Sequence, residues 1–283
     1  MKVFPRGVCS LLLLVLGGLS MNAAAEGEAP YSGSVGQNYP KEVFFGDTHL
    51  HTRNSADAWS MGNLNLTPGD AYRFAQGSPV LAHNGMQVQL RRPLDFLVVS
   101  DHAEYLGAFY RFNVNDSLIT KTDVGRQWQT YVEEGDLAKF FGAFVNSMQN
   151  KEEDPALPAA VRQTVWSGVA KTADRHNKPG VFTAFSGYEW TSMISGNNLH
   201  RVVVFKDDAD KVSQMIPFSG QDSLDPRDLW QALANYETAT GGEVLSIAHN
   251  GNLSNGMMFP DETVAGSPID EAYASLRARF ETV

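Results

Sequence analysis

The chain has 283 residues, 43% of them hydrophobic, and carries 22 Lys+Arg against 32 Asp+Glu, a formal net charge of −10. An acidic chain with no basic run to offset it excludes electrostatic nucleic-acid binding, because a phosphate backbone repels it. Its length and apolar content suffice for one large core, so a single α/β domain is the default.

Lys2 and Arg6, the apolar run 11–16 and the small residues Asn22-Ala23-Ala24-Ala25 have the layout of a secretory signal peptide over 1–25, with cleavage expected after Ala25. The apolar run is too short to span a bilayer, and no other stretch approaches the needed length. The mature protein is therefore expected to be periplasmic or secreted, with no membrane span. Cys9, the single cysteine, falls inside the signal. The mature chain then has no internal disulfide, and its stability is expected to come from core burial and bound metal.

Residues 26–40, with glycine, serine, proline and Tyr31, read as a flexible lead-in, and 41–283 as one folded domain. A first strand is expected over 43–45. Thr67-Pro68-Gly69-Asp70 predicts a helix start, with Thr67 as cap, Pro68 in the first turn and Asp70 near the positive end of the dipole, running to about residue 76. The near-continuous apolar run 94–100 suits a strand buried on both faces. Helices are predicted over 137–148 and 161–176, separated by Pro155 and Pro158. Strands follow over 181–188 and 202–205, joined by a loop over 192–198. Asp225-Pro226 opens a helix that Gly241-Gly242 ends, and 244–248 is the next strand. The last element reads as helix, 269–282. The alternation points to a parallel sheet, closed or wound by crossover helices. Since no closing strand follows, the chain reads as the N-terminal part of a longer protein.

The chemistry begins at His49-Leu50-His51, where two imidazoles flank a strand's carboxyl end and, two residues apart, point the same way. Ser100-Asp101-His102, Gly187-Tyr188-Glu189, Leu199-His200 and Ala248-His249 also end apolar runs in metal-compatible side chains. Strand ends are where reactive groups gather in α/β folds. Seven candidate metal ligands result: His49, His51, Asp57, His102, Glu189, His200 and His249, of which Asp57, in Asn54-Ser55-Ala56-Asp57, suits a turn or helix cap equally well. Nitrogen and carboxylate donors without thiolate suit two or three divalent ions, zinc, manganese or iron. Asp101 is assigned an orienting role and is one candidate to protonate a leaving group; the other is bound water. Arg201 either reaches the mouth of the site, where it would hold an anionic oxygen by a forked pair of hydrogen bonds, or forms a surface salt bridge. Asn197, Asn198 and Asn250 are read as turn residues beside the ligands, and Trp59 and Trp190 as core. His83, in a turn, and His176, at a helix end where the dipole favours a cation, need no functional role.

His49, His51 and Asp57, with Phe96 to His102, Glu189, His200 and the run Ser246-Ile247-Ala248-His249-Asn250-Gly251-Asn252, resemble the motifs of the polymerase and histidinol phosphatase (PHP) superfamily. Phe45-Gly46-Asp47-Thr48-His49-Leu50-His51-Thr52, Gly187-Tyr188-Glu189-Trp190-Thr191 and Asn198-Leu199-His200-Arg201 resemble more closely an exported bacterial branch, domain of unknown function 3604, from about Glu42 to the end. The resemblance implies a distorted seven-stranded (βα)7 TIM-like barrel, incomplete in this chain, with Glu189 as a bridging ligand and a two- or three-metal centre that hydrolyses phosphate esters. The superfamily's last motif, an Asp-x-His pair, has no counterpart here, and members of the exported branch are longer. The chain is accordingly expected to be C-terminally truncated, with its activity in this form an open question.

The function expected is thus an exported metal-dependent hydrolase of an anionic ester, a small molecule or glycan carrying phosphate or, alternatively, sulfate, in which metal-activated hydroxide attacks in line and Glu189, Asp101 and Arg201 serve the reaction. Two alternatives stand beside it. One is an amidohydrolase-type metalloenzyme, in which His102 and Asp57 would be superfluous. The other is a catalytically silent metal- or glycan-binding protein of the envelope.

Overall fold

The computed structural model describes residues 42–149 and 155–281, so the expected signal over 1–25 and lead-in over 26–40 lie outside the described residues. Five strands form the main sheet: β1 (Gly46–Leu50), β4 (Phe96–Val99), β5 (Thr183–Trp190), β8 (Arg201–Phe205) and β9 (Val244–Ala248), in the order β1-β4-β5-β8-β9. Two-residue ribbons stand apart from it, β2 (Val80–Leu81) with β3 (Gln87–Val88), and β6 (Met193–Ile194) with β7 (Asn197–Asn198). The architecture is mixed α/β, and the sheet curls into a half-barrel.

The expected parallel sheet is corrected in one respect. β1, β4 and β5 are mutually parallel, but β8 is antiparallel to both β5 and β9. Only ten residues link β5 to β8, too few for the crossover that a parallel neighbour requires, so the chain must turn straight back. β9 reverses again and runs with the first three. The ends of β1, β4, β5 and β9 and the start of β8 therefore share one rim.

Burial follows the period-2 rule. Tyr188, Trp190, Val203 and Phe205 pack outward with Trp166 and Val169 of the helix Ala159–His176 and with Leu229, Trp230 and Leu233 of the helix Pro226–Thr240. Val98, Val202 and Val204 line the inner face. At the centre Gly187 is obligatory: a Cβ there would press on Val98 Cγ1 and lie 2.7 Å from the carbonyl oxygen of Val203.

The first strand starts later than expected. Gly46, opposite Phe96, is the first residue in ladder register with β4; before it Phe45 is tied only at the strand's approach, accepting from the Asp95 amide at 2.7 Å, and Phe44 and Phe45 are 63% and 56% exposed. The cap signals are read correctly. Thr67 forms a capping box with Asp70 ahead of Pro68–Ala75, Asp225 caps Pro226–Thr240, and Gly241 closes that helix at φ 63°. The helices Ala108–Asn113, Ser117–Thr120 and Asp123–Glu133 have no counterpart among the predicted elements. Their signals were the N-caps Asp116 and Thr122, which accept from the backbone amides of Leu118 and Gly125. These helices bury Phe109, Trp128 and, from the helix Leu137–Met148, Phe140, in a second core beside the sheet.

Candidate metal centre

Glu189 lies near the end of β5, 1% exposed, with its carboxylate at the middle of the rim. His51 Nε2 is 2.7 Å and His49 Nε2 3.0 Å from Oε2. His200 Nδ1 is 2.6 Å and His249 Nε2 3.1 Å from Oε1, with His102 Nδ1 3.8 Å from the same atom. Asp57, in the first turn of the helix Ala56–Ser60, reaches His51 Nδ1 at 2.9 Å and His102 Nε2 at 3.6 Å. All seven proposed ligands are thus brought together from five separated stretches of chain. His200 arrives by a route the sequence reading did not foresee: it precedes β8 instead of ending a strand, and reaches the rim because β8 runs backwards.

The donors group into three sets whose candidate ligand atoms lie within 4.8 Å of one another: His49, His51 and Glu189; His51, Asp57 and His102; His102, Glu189 and His200. The residues fit a divalent cation. His200 Nε2 and His249 Nδ1 are buried without a hydrogen-bond partner. Five imidazoles on one buried carboxylate cannot all be charged without strong mutual repulsion, whereas neutral imidazole lone pairs and carboxylate oxygens are the donors a zinc-, manganese- or iron-class ion takes.

Electrostatics describe the same competition. Burial pushes the Glu189 carboxyl up, but His102, His200, His249 and His49 outweigh it and hold it well below the usual carboxylate range. Burial opposes the His51 imidazolium, yet hydrogen bonds to Asp57 and Glu189 raise its pKa to about 10. Burial pushes His200 down. The atoms that share protons here are the ones a cation would take in their place.

Around this cluster lies a set of supports. Asp101, 1% exposed, accepts from both the backbone amide and, at 2.8 Å, the hydroxyl of Thr52, so it fixes the turn immediately after His51. Burial raises its pKa to about 6. That geometry agrees with an orienting role. It does not place Asp101 at the mouth as an acid, since Thr52 occupies both its oxygens. Thr191 Oγ1 holds His102 Nδ1, and Glu104, fully buried, accepts from the amides of Thr191 at 3.2 Å and Gly220 at 2.6 Å. Ser55 Oγ accepts from the amide of His102 at 3.1 Å and lies 3.3 Å from His51 Nδ1. No supporting role is legible in the sequence for Thr52, Ser55, Glu104 or Thr191, although each stands within four residues of a ligand candidate.

Arg201 is not at the mouth. It pairs with Trp190 across β5 and β8, one residue along from Glu189, and so projects to the opposite face of the sheet. There it is 1% exposed, 5.7 Å from the Trp190 ring and 6.0 Å from that of Trp230, with Nε donating to Glu281 Oε1 at 2.7 Å and Nη1 to the carbonyl of Leu199 at 2.5 Å. An incoming anion cannot reach it. His176 is also corrected: partial burial and the neighbouring Arg73 and Arg175 lower its pKa, overriding the helix dipole. His83 is exposed in the turn between β2 and β3, and Trp59 and Trp190 are buried. Among the described residues no helix is long and apolar enough to cross a membrane.

A family model described as Protein of unknown function (DUF3604) matches residues 38–283. Comparison with curated proteins and with solved structures returns no match.

Proposed function

We propose that this chain, which belongs to the DUF3604 family, is an exported metal-dependent hydrolase of anionic esters, a phosphomonoester or phosphodiester first and a sulfate ester second. The observation that carries the reading is Glu189, whose two oxygens each face a separate pair of histidines, His49 with His51 and His200 with His249. Such a carboxylate suits a bridge between two cations, and Asp57 and His102 offer a third position beside it.

Divalent ions of the zinc, manganese or iron class, held by these seven residues, would supply Lewis-acid polarisation of the ester oxygen and lower the pKa of water. The chain's own contribution is positional. Asp101 holds Thr52 and thereby the turn that aims His51, Thr191 holds the far nitrogen of His102, and Asp57 spans His51 and His102. No thiol or protein nucleophile is required. His49, with its side chain 40% exposed, is the most open of the ligand candidates, ahead of Asp57 at 30%, and the two mark the side from which substrate enters.

The motifs also support membership of the PHP superfamily, with the half-barrel as part of a distorted (βα)7 barrel. His102 and Asp57, superfluous in an amidohydrolase-type site, both belong to the cluster, which favours the phosphoesterase reading. The test is elemental analysis of the mature protein beside a panel of p-nitrophenyl phosphate, bis-p-nitrophenyl phosphate and p-nitrophenyl sulfate. Two or more ions per chain with ester hydrolysis are expected. Fewer than two ions with no turnover on any ester would refute it.

A further inference from the structure

Although the chain is acidic as a whole, one cleft of about 610 Å³ gathers Arg53, Arg73, Arg111, Arg175 and His176. It lies between the helices Pro68–Ala75, Ala108–Asn113 and Ala159–His176, and none of the seven ligand candidates lines it. Two of its arginines are neutralised, Arg73 by Asp70 and Arg111 by Asp116. Among the described residues neither Arg53 nor Arg175 forms an ion pair with a carboxylate, although Asp70 is close enough to feel the charge of Arg53. Arg53 lies 3.7 Å over the Tyr110 ring and contacts only a carbonyl, that of Asn65 at 3.4 Å, while its Nε is buried with no acceptor. Arg175 Nη2 donates to a neutral hydroxyl, Thr172 Oγ1, at 2.7 Å.

The walls are shaped as well as charged. Gly69 has no side chain, and the place its Cβ would take is bordered by His176 Nε2 at 3.4 Å, Thr67 Oγ1 at 3.6 Å and Arg73 Nη1 at 3.7 Å. On the facing helix, Gly168 leaves open space in the same way. Two guanidiniums without an ion pair leave the recess positively charged, and a planar fork matches tetrahedral oxyanions better than an ammonium does. The volume exceeds that of a bare ion and falls in the range of small-molecule sites.

We infer that this cleft is a second anion site, separate from the metal centre, which binds a phosphate or sulfate group through Arg53 and Arg175. The group is either the free ion or the substituent of a sugar-sized molecule. Isothermal titration calorimetry on the full chain tests this, with inorganic phosphate, inorganic sulfate and glucose 6-phosphate as probes and sodium chloride at equal ionic strength as control.

Saturable binding is expected to persist in Glu189→Gln, which disables the metal centre, and to weaken about tenfold or more in Arg175→Gln, whose exposed side chain can be cut without disturbing the core. Arg53→Gln serves as the second variant. Tighter binding of glucose 6-phosphate than of phosphate identifies a substituted ligand, and equal binding the free ion; both support the site. Binding that vanishes in Glu189→Gln, or is unchanged in both arginine variants, overturns it. Since the readout is binding, a failure of the hydrolase reading leaves this result interpretable.

Discussion

His200 and His249 approach the same oxygen, Glu189 Oε1, at 2.6 and 3.1 Å, although one precedes its strand and the other follows its own. The backbone amide of His249 also donates to the carbonyl of His200 at 3.3 Å, so the antiparallel pairing of β8 with β9 sets the two rings side by side. Removing either ring should open the same cation position. His200→Ala and His249→Ala are each expected to lower the metal content by about one ion per chain and ester turnover by roughly a hundredfold or more, with the fold kept. Plasma emission spectrometry with far-ultraviolet circular dichroism checks this; a full complement of metal in both variants counts against Oε1 as a ligand.

Asp101→Asn probes the support of His51. The amide keeps the shape of the carboxylate and can still accept from the Thr52 amide, but its NH2 cannot accept from the Thr52 hydroxyl, whose proton loses its partner. Metal affinity is expected to fall about 10- to 100-fold, with a stability loss of about 1–3 kcal/mol from the unsatisfied buried group. Competition against a chromogenic chelator measures the first quantity and urea unfolding the second. Unchanged affinity would show that Thr52 needs no anchor.

Arg201→Leu separates a structural role from a catalytic one. The substitution leaves the nearly buried Glu281 short of its closest cation, with Arg277 as the remaining partner at 2.8 Å. Loss of one member of a buried pair costs about 3–5 kcal/mol, so the variant should unfold at markedly lower urea. Among molecules that remain folded, turnover and metal content should match the wild type. A stable protein with abolished turnover would return Arg201 to the active site.

Asp222 carries an acid-dependent part of the stability. Burial pushes its carboxyl up, but hydrogen bonds and charge from Arg162, together with Ser219, outweigh this and lower it in the folded state. A depressed folded-state pKa contributes stability that is fully present above the unfolded carboxylate range, near 4, and is lost as pH falls through the folded value. Asp222→Asn should therefore lower Tm at pH 7 and flatten its decline between pH 5 and 3. Parallel Tm–pH curves for the two proteins would contradict the pairing.

Gly187→Ala tests the tightness of the sheet centre. The added methyl group meets Val98 Cγ1 and the Val203 carbonyl at once, between strands held by their own hydrogen bonds. Overpacking of this kind costs about 1–3 kcal/mol or more. Because Glu189 is two residues further along the same strand face, turnover should fall with stability. A neutral substitution would mean that the strands have room to separate.

Features whose causes are local could be read from the order of residues alone. Thr67 with Asp70 starts one helix, and Asp225 with Gly241 brackets another, because caps and turns act over three or four residues. Five of the clustered side chains, His49, His51, His102, Glu189 and His249, were legible for a related reason, since strand ends are marked by where apolar runs stop; Asp57 lies in a helix and His200 ahead of its strand. Long-range packing sets the rest: β8 runs backwards, Arg201 belongs to Glu281 and two tryptophans, and Arg53 and Arg175 share a cleft. Strand direction depends on how a ten-residue link returns the chain, and a side chain's face depends on which residue begins the strand. Partners such as Arg201 and Glu281 are 80 positions apart, a distance over which adjacency is set by packing of the whole core and leaves no mark in the neighbouring residues.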